Sequence, residues 1–393
     1  MKCEWKEVEL SEVADLTVGF VGTMASHYTD RGVLFLRSTN IEPFNIKIDD
    51  VKYISSEFNE TIKKSQLNPD DVVIVRTGKP GACTVIPQKT EPWNCSDLVI
   101  IHPNKKKINP LFLASYINLA SGVINAHLVG AVQQHFNVGA AKKIKIPLPS
   151  IDVQNRISSI IQGLNDKIEL NNKINENLER QAQALYEYLF IENADSEWQQ
   201  GTISDLGTVV GGSTPSKAKS EYYTENGIAW ITPKDLSVNK AKFISHGEND
   251  ITELGLKNSS ASIMPAGTVL FSSRAPIGYI AIAAGEVTTN QGFKSVVPKH
   301  EIGTAFVYYF LKHNLPIIEG MASGSTFKEV SGSTMKNVPA VIPDSETLGR
   351  FNDFCKPIFA QQQILEEQNQ SLEALRDSLL PKLMSGEIDI SHC

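Results

Sequence analysis

Short apolar runs, separated by turn residues, alternate along this chain with two long stretches in which apolar positions recur every three or four residues. Runs such as Val72-Val73-Ile74-Val75 and Val269-Leu270-Phe271, bounded by Gly, Pro, Asn, Asp and Ser, predict strands. They fill residues 1–150 and 198–345, with one helix predicted in each, at 111–120 and 305–313. Asn109 and Pro110 read as the cap and first turn of the earlier one. Residues 151–192 and 346–385 differ in texture, with few Gly or Pro. Ile157, Ile161, Leu164 and Ile168, then Leu178, Ala182, Leu185 and Leu189, keep the three-four spacing in the first. In the second, Leu365, Leu372 and Leu379 fall seven apart after Phe351, Phe354 and Ile358, with Leu383 beyond. These are coiled-coil seams. Asn171 and Asn175 in one, and Gln361, Gln362, Gln368 and Asn369 in the other, interrupt the seams with polar groups that can fix register. Gly163 and Pro357 sit at equivalent places and predict a kink or restart in each helix.

The chain also matches itself, at a register of 193 to 196 residues. Trp5 falls on Trp198, Leu10 on Ile203, Pro69 on Pro265, Phe112 on Phe306, Gly130 on Gly324, Pro149 on Pro343 and Leu185 on Leu379. The expected architecture is therefore a mixed α/β (α+β) tandem repeat. Globular domains span 1–150 and 198–345, each followed by a long helix (151–197 and 346–393). The two helices satisfy their seams most simply as an antiparallel coiled coil with pseudo-twofold symmetry. About 30 residues at ~1.5 Å each give ~45 Å. That is of the order of the ~34 Å duplex turn that separates half-sites read by a dimer.

Composition at first argues against a nucleic-acid protein: 37 Lys+Arg against 44 Asp+Glu leave a net charge of −7 over 393 residues. Partition by repeat changes this. Residues 1–150 carry +2 and 198–345 carry 0, whereas 151–197 and 346–393 carry −5 and −4. Within the first domain, residues 61–146 reach +7, the footprint of a phosphate-contacting module. Five cysteines with no C-x-x-C pair fit neither a disulfide framework nor a zinc knuckle, and no metal site is expected. Without an apolar run behind Lys2 or a stretch of about 20 apolar residues, a cytoplasmic protein with reduced thiols is expected. P-loop and dinucleotide fingerprints are missing, His127, His135, His300 and His313 lack ligand spacing, and no catalytic residue is expected.

Candidate chemistry lies instead on two pairs of equivalent loops. Arg76-Thr77-Gly78-Lys79-Pro80-Gly81 and Ser272-Ser273-Arg274-Ala275-Pro276 each follow an apolar strand and set an arginine among hydroxyls on a Gly/Pro turn. Such side chains can enter a DNA groove while backbone amides meet phosphate. The second pair offers Gln133, Gln134 and His135 in one copy and Ser325, Thr326 and Lys328 in the other; glutamine can read adenine bidentately. Arg37, Lys142, Lys143, Lys234 and Lys336 complete the candidate DNA-binding set.

At the C-terminal end stands Leu379-Leu380-Pro381-Lys382-Leu383-Met384-Ser385-Gly386-Glu387-Ile388. It resembles the sequence that closes the specificity (S) subunits of type I restriction-modification systems. The resemblance runs over essentially the whole chain. It takes in Trp5, Leu10 and Val13, their echo from Trp198 to Leu206, Gly212-Ser213-Thr214-Pro215, and Ile146-Pro147-Leu148-Pro149 followed by Gln154 and Ile157. It implies a non-catalytic subunit with two target recognition domains, each binding half of a bipartite, asymmetric sequence in double-stranded DNA. The paired helices would set the gap and dock two methyltransferase (modification) subunits, with restriction/translocase subunits joining them. S-adenosylmethionine, ATP and Mg²⁺ would belong to those partners. Leu348 replaces the counterpart of Gln154, so the two docking surfaces are not expected to be equivalent. A methyltransferase-related or fused restriction-methylation enzyme and a duplicated protein-binding scaffold are the alternative classes.

Overall fold

The computed structural model describes residues 5–77, 80–88, 91–128, 138–324, 328–388 and 390. Its contacts form two compact units. One runs from Met1 to Glu169 and takes in Ser371–Cys393; the other is Leu170–Gln370. Each unit holds one globular domain together with part of each long helix.

In the first unit, four antiparallel strands lie in the order Cys83–Val85, Val72–Val75, Leu98–Pro103, Ala14–Val18. Val72–Val75 is apolar at every position because both of its faces are covered. Val72, Ile74, Val99 and Ile101 face Phe112, Leu113 and Ile117 of the helix Pro110–Leu128. Val73, Val75, Leu98 and Ile100 face Leu36, Leu67 and Cys95, which belong to a five-stranded mixed sheet. Asn109 caps the helix as expected, its Oδ1 accepting from Leu111 and Phe112 N at 2.9 and 3.1 Å.

The second unit builds a five-stranded sheet in the order Gly207–Gly211, Lys294–Pro298, Val269–Ser273, Ile277–Ala283, Phe243–Ile244. Its neighbours are antiparallel except the last pair. Val269, Phe271, Ile282 and Val296 pack on Phe306, Tyr309 and Phe310 of the helix Thr304–His313, while Leu270, Ala281 and Ala283 face Ile231, Leu236 and Phe293.

The repeat register is visible in the elements. Ala14–Val18 becomes Gly207–Gly211, the pair Lys6–Glu9 with Lys145–Leu148 becomes Gln199–Thr202 with Pro339–Ile342, and helices start at Pro110 and Thr304. The long helices are Ile151–Glu187 and Ser345–Met384. Neither restarts at Gly163 or Pro357, contrary to expectation. Pro357 lies on an exposed face beside exposed Asp353, so the carbonyl that loses its helical donor meets water.

Within each unit the helix segments run antiparallel. In the second, Asn171 Nδ2 donates to Asn369 Oδ1 at 2.9 Å, Asn369 donates to Asn172 at 2.7 Å, and Gln362 donates to the Asn175 carbonyl at 3.2 Å. In the first, Arg376 Nη1 meets Asn165 Oδ1 at 3.1 Å and Arg156 Nη1 meets the Ile390 carbonyl at 2.9 Å.

Candidate nucleic-acid interface

Both arginine-bearing loops are hairpin tips, held by the sheets just described, and in both the arginine meets a carboxylate from a distant segment. Val72–Val75 and Cys83–Val85 flank the first tip. There Arg76 Nη1 lies 3.2 Å from Asp97 Oδ1, and Thr77 Oγ1 donates to Asp97 Oδ2 at 2.7 Å. Asp97 has a positive φ of 54°, a conformation that aspartate tolerates better than most residues. The Arg76 side chain is only 15% exposed.

At the second tip Arg274 is 39% exposed, and its Nη1 lies 3.3 Å from Glu329 Oε2. Lys294 Nζ approaches the other carboxylate oxygen at 3.7 Å. Glu329 exchanges backbone hydrogen bonds with Ser323, and Val330 N donates to the Ser273 carbonyl at 3.0 Å. The two loops singled out in the second copy therefore come together, joined at Glu329. Lys294 and Glu329 escaped the sequence reading because their partners lie tens of residues away.

Ser272 and Ser273 are corrections. Both are fully buried. Ser272 Oγ donates to the Pro276 carbonyl at 2.9 Å and accepts from Tyr279 N at 2.7 Å, and Ser273 Oγ donates to the Gly292 carbonyl at 3.1 Å. A hydroxyl at the end of a strand covered on both faces takes backbone partners, so these two close the hairpin and are withdrawn from DNA.

The other candidates fall into three groups. Lys142, Lys143, Lys328 and Lys336 are exposed. Arg37 and Lys234 are engaged in ion pairs, with Asp50 at 2.9 Å and with Glu248 at 2.5 Å. Lys79, Gln133, Gln134, His135, Ser325 and Thr326 lie outside the described residues. The basic stretch of the first domain is partly neutralised by Lys63–Glu60 and Lys105–Asp70 pairs. Gly212-Ser213-Thr214-Pro215 has a structural logic. A Cβ at Gly212 would overlap the Asn290 and Thr289 carbonyls, while the Ser213 carbonyl accepts from Trp230 Nε1 at 3.0 Å and the Pro215 carbonyl from Tyr223 at 2.6 Å.

The candidate seam residues differ in burial. Ile157, Ile161, Leu189, Phe351, Ile358, Leu365 and Leu383 are buried, and Leu164, Leu178, Leu185, Leu372 and Leu379 partly so. That burial within the chain's own cores withdraws the fully buried ones from partner docking. Phe354 points outward, 41% exposed.

A buried ionic cluster in the second unit was not anticipated. Lys242, just before the edge strand Phe243–Ile244, inserts its ammonium between the helices. It meets Glu179 there and lies 2.7 Å from Gln362 Oε1 and 4.2 Å from the Phe359 ring centre. Glu366 accepts from the backbone N of Lys242 and Phe243 at 2.9 and 3.0 Å. Burial pushes the Glu179 carboxyl up, but Lys242 and Lys312 beside it outweigh that and hold it at about 2. Burial pulls the Lys242 ammonium down from its ordinary value, against the attraction of Glu179. Among the described residues no cluster of three or more His, Cys, Asp or Glu is placed to hold a metal, and no helix is long and apolar enough to cross a membrane.

A family model described as the type I restriction modification DNA specificity domain matches the chain twice, over residues 2–180 and 195–374, which coincide with the two repeats. The chain belongs to that family. Members of the type I specificity family resemble it at different ranges. The MjaIX specificity subunit of Methanocaldococcus jannaschii is 42% identical over 180 residues, which cover 44% of this chain and 41% of that subunit. The HindI specificity subunit of Haemophilus influenzae is 22% identical over 98% of this chain and all of that subunit. Among solved structures, the type I restriction-modification system S subunit from M. genitalium superposes with a TM-score of 0.56 at 16% identity, covering 96% of each chain, and so shares the fold.

Proposed function

We propose that this chain is the non-catalytic DNA-specificity subunit of a type I restriction-modification complex. Each globular domain binds one half of a bipartite, asymmetric target, and the paired helices set the unread gap between the halves. The observation that carries the reading is the double family match combined with two equivalent hairpin tips, each bearing an arginine on a rigid, doubly covered sheet. The unequal partners of those arginines support unequal half-sites.

Methyltransferase subunits dock on outward apolar groups of the helices, such as Leu170, Ile174, Phe354 and Ile364, rather than on the seam. Restriction subunits complete the nuclease, and S-adenosylmethionine, ATP and Mg²⁺ act in those partners. Mapping methylated bases across the host genome with and without this gene tests the proposal. One bipartite methylated motif should vanish with the gene. Methylation of DNA by the purified chain with S-adenosylmethionine alone would overturn the reading in favour of an enzyme.

A further inference from the structure

Two polar loops of the second unit meet at one carboxylate, and the chemistry there is more selective than general attraction to phosphate. Arg274 spends only Nη1 on Glu329, so its Nε and Nη2 have no partner among the described residues. Glu329 keeps unused lone pairs on both oxygens, and Lys294 steadies it from the other side. The result is a donor fork beside an acceptor, on a hairpin tip fixed to a sheet.

The major-groove edge of a G·C pair is the complement: guanine offers the acceptors N7 and O6 next to the donor N4 of cytosine. An A·T pair fails the match, since the adenine N6 donor faces the guanidinium and the thymine O4 acceptor faces the carboxylate. A carboxylate at this place also repels phosphate, which lowers affinity for every sequence that does not supply a donor to it. The first tip offers its arginine less freely, since the Arg76 side chain is 15% exposed against 39% for Arg274.

We propose that Arg274 and Glu329 together read one G·C pair in the half-site bound by the second domain, Arg274 donating to guanine N7 and O6 and Glu329 accepting from cytosine N4. Lys294 is a positioning residue that holds the carboxylate. The inference rests on the DNA-specificity reading above.

Genome-wide mapping of methylated bases in host cells carrying the wild-type gene, Arg274→Ala, Glu329→Gln or Arg274→Lys tests it. The wild-type motif contains a G·C column in one half. Arg274→Ala and Glu329→Gln each lower the preference for G·C at that column by about tenfold or more, leaving the other half and the gap unchanged. Arg274→Lys, which keeps the charge and loses the planar fork, guards against a variant that fails to fold. It retains methylation and loses preference at the same column. A wild-type motif whose every column survives in these variants overturns this inference alone. Absence of any methylated motif dependent on the wild-type gene overturns the specificity reading and this inference with it.

Discussion

The two units hold their globular domains to their helix segments at the same place with opposite chemistry. In the second unit, Lys242 lies against the outer hairpin strand, its carbonyl accepting from Ile282 N at 2.7 Å, and sends its ammonium into the helix pair. In the first, Phe44 occupies the corresponding edge, its N donating to the Cys83 carbonyl at 3.0 Å, and the helix supplies the cation: the Arg376 guanidinium lies 4.8 Å from the Phe44 ring centre. A ring and a cation meet in both, but the charge has changed sides. The duplicated backbone preserves the joint, then, while its side chains are free to diverge. What differs is burial of counter-charge. Lys242 and Glu179 leave water together, whereas Arg376 relies on a ring, on Asn165 and on an exposed carboxylate, Asp377 at 3.1 Å.

The largest effect expected from this contrast is on stability. Glu179→Gln strips the buried Lys242 of its counter-ion and should destabilise the second unit by about 3–5 kcal/mol. Hydrogen-exchange protection should fall in residues 170–187 and 345–370 while residues 151–169 keep theirs. Arg376→Ala should cost the first unit about 1–2 kcal/mol, the scale of a partly desolvated cation–π contact. Equal losses would erase the difference drawn here.

Acid sharpens it further. The Glu179 carboxyl, held at about 2 in the folded chain against an ordinary 4.5, contributes stability that is complete above pH 4.5 and is lost as pH falls towards 2. In the first unit, His102 is raised by its hydrogen bond to Asp71, with burial opposing. Its contribution is present below 6.5 and declines as pH rises through the elevated value. Exchange protection should therefore fall at low pH in the second unit and, more weakly, as pH rises above 6.5 in the first. A common profile for both would contradict the assignment.

Much of this fold was legible because duplication and period are local signals. Strands Ala14–Val18 and Gly207–Gly211 and helices from Pro110 and Thr304 fall on the repeat register read from apolar matches, Gly and Pro. The seam polarities at Asn171 and Asn369 mark a real contact. What escaped reading depends on distance or brevity. Strands of two or three residues, such as Gln66–Leu67, are too short to show a period. Lys242 carries no local signal in the sequence, because Glu179 and Gln362 lie 63 and 120 residues away. Ser272 and Ser273 read as exposed because polar residues beside a turn usually are, and only the strand register buries them. Pro357 read as a break, since propensity cannot see that its helix is packed on both sides of it.

The central claim, that two reading domains are spaced by the helix pair, is tested most directly by removing seven residues from each long helix and mapping the methylated motif. Seven residues shorten a helix by about 10 Å, or about three base pairs of duplex. The account predicts the same two half-sites with a shorter gap. An unchanged gap, or altered half-sites at the original gap, would contradict it.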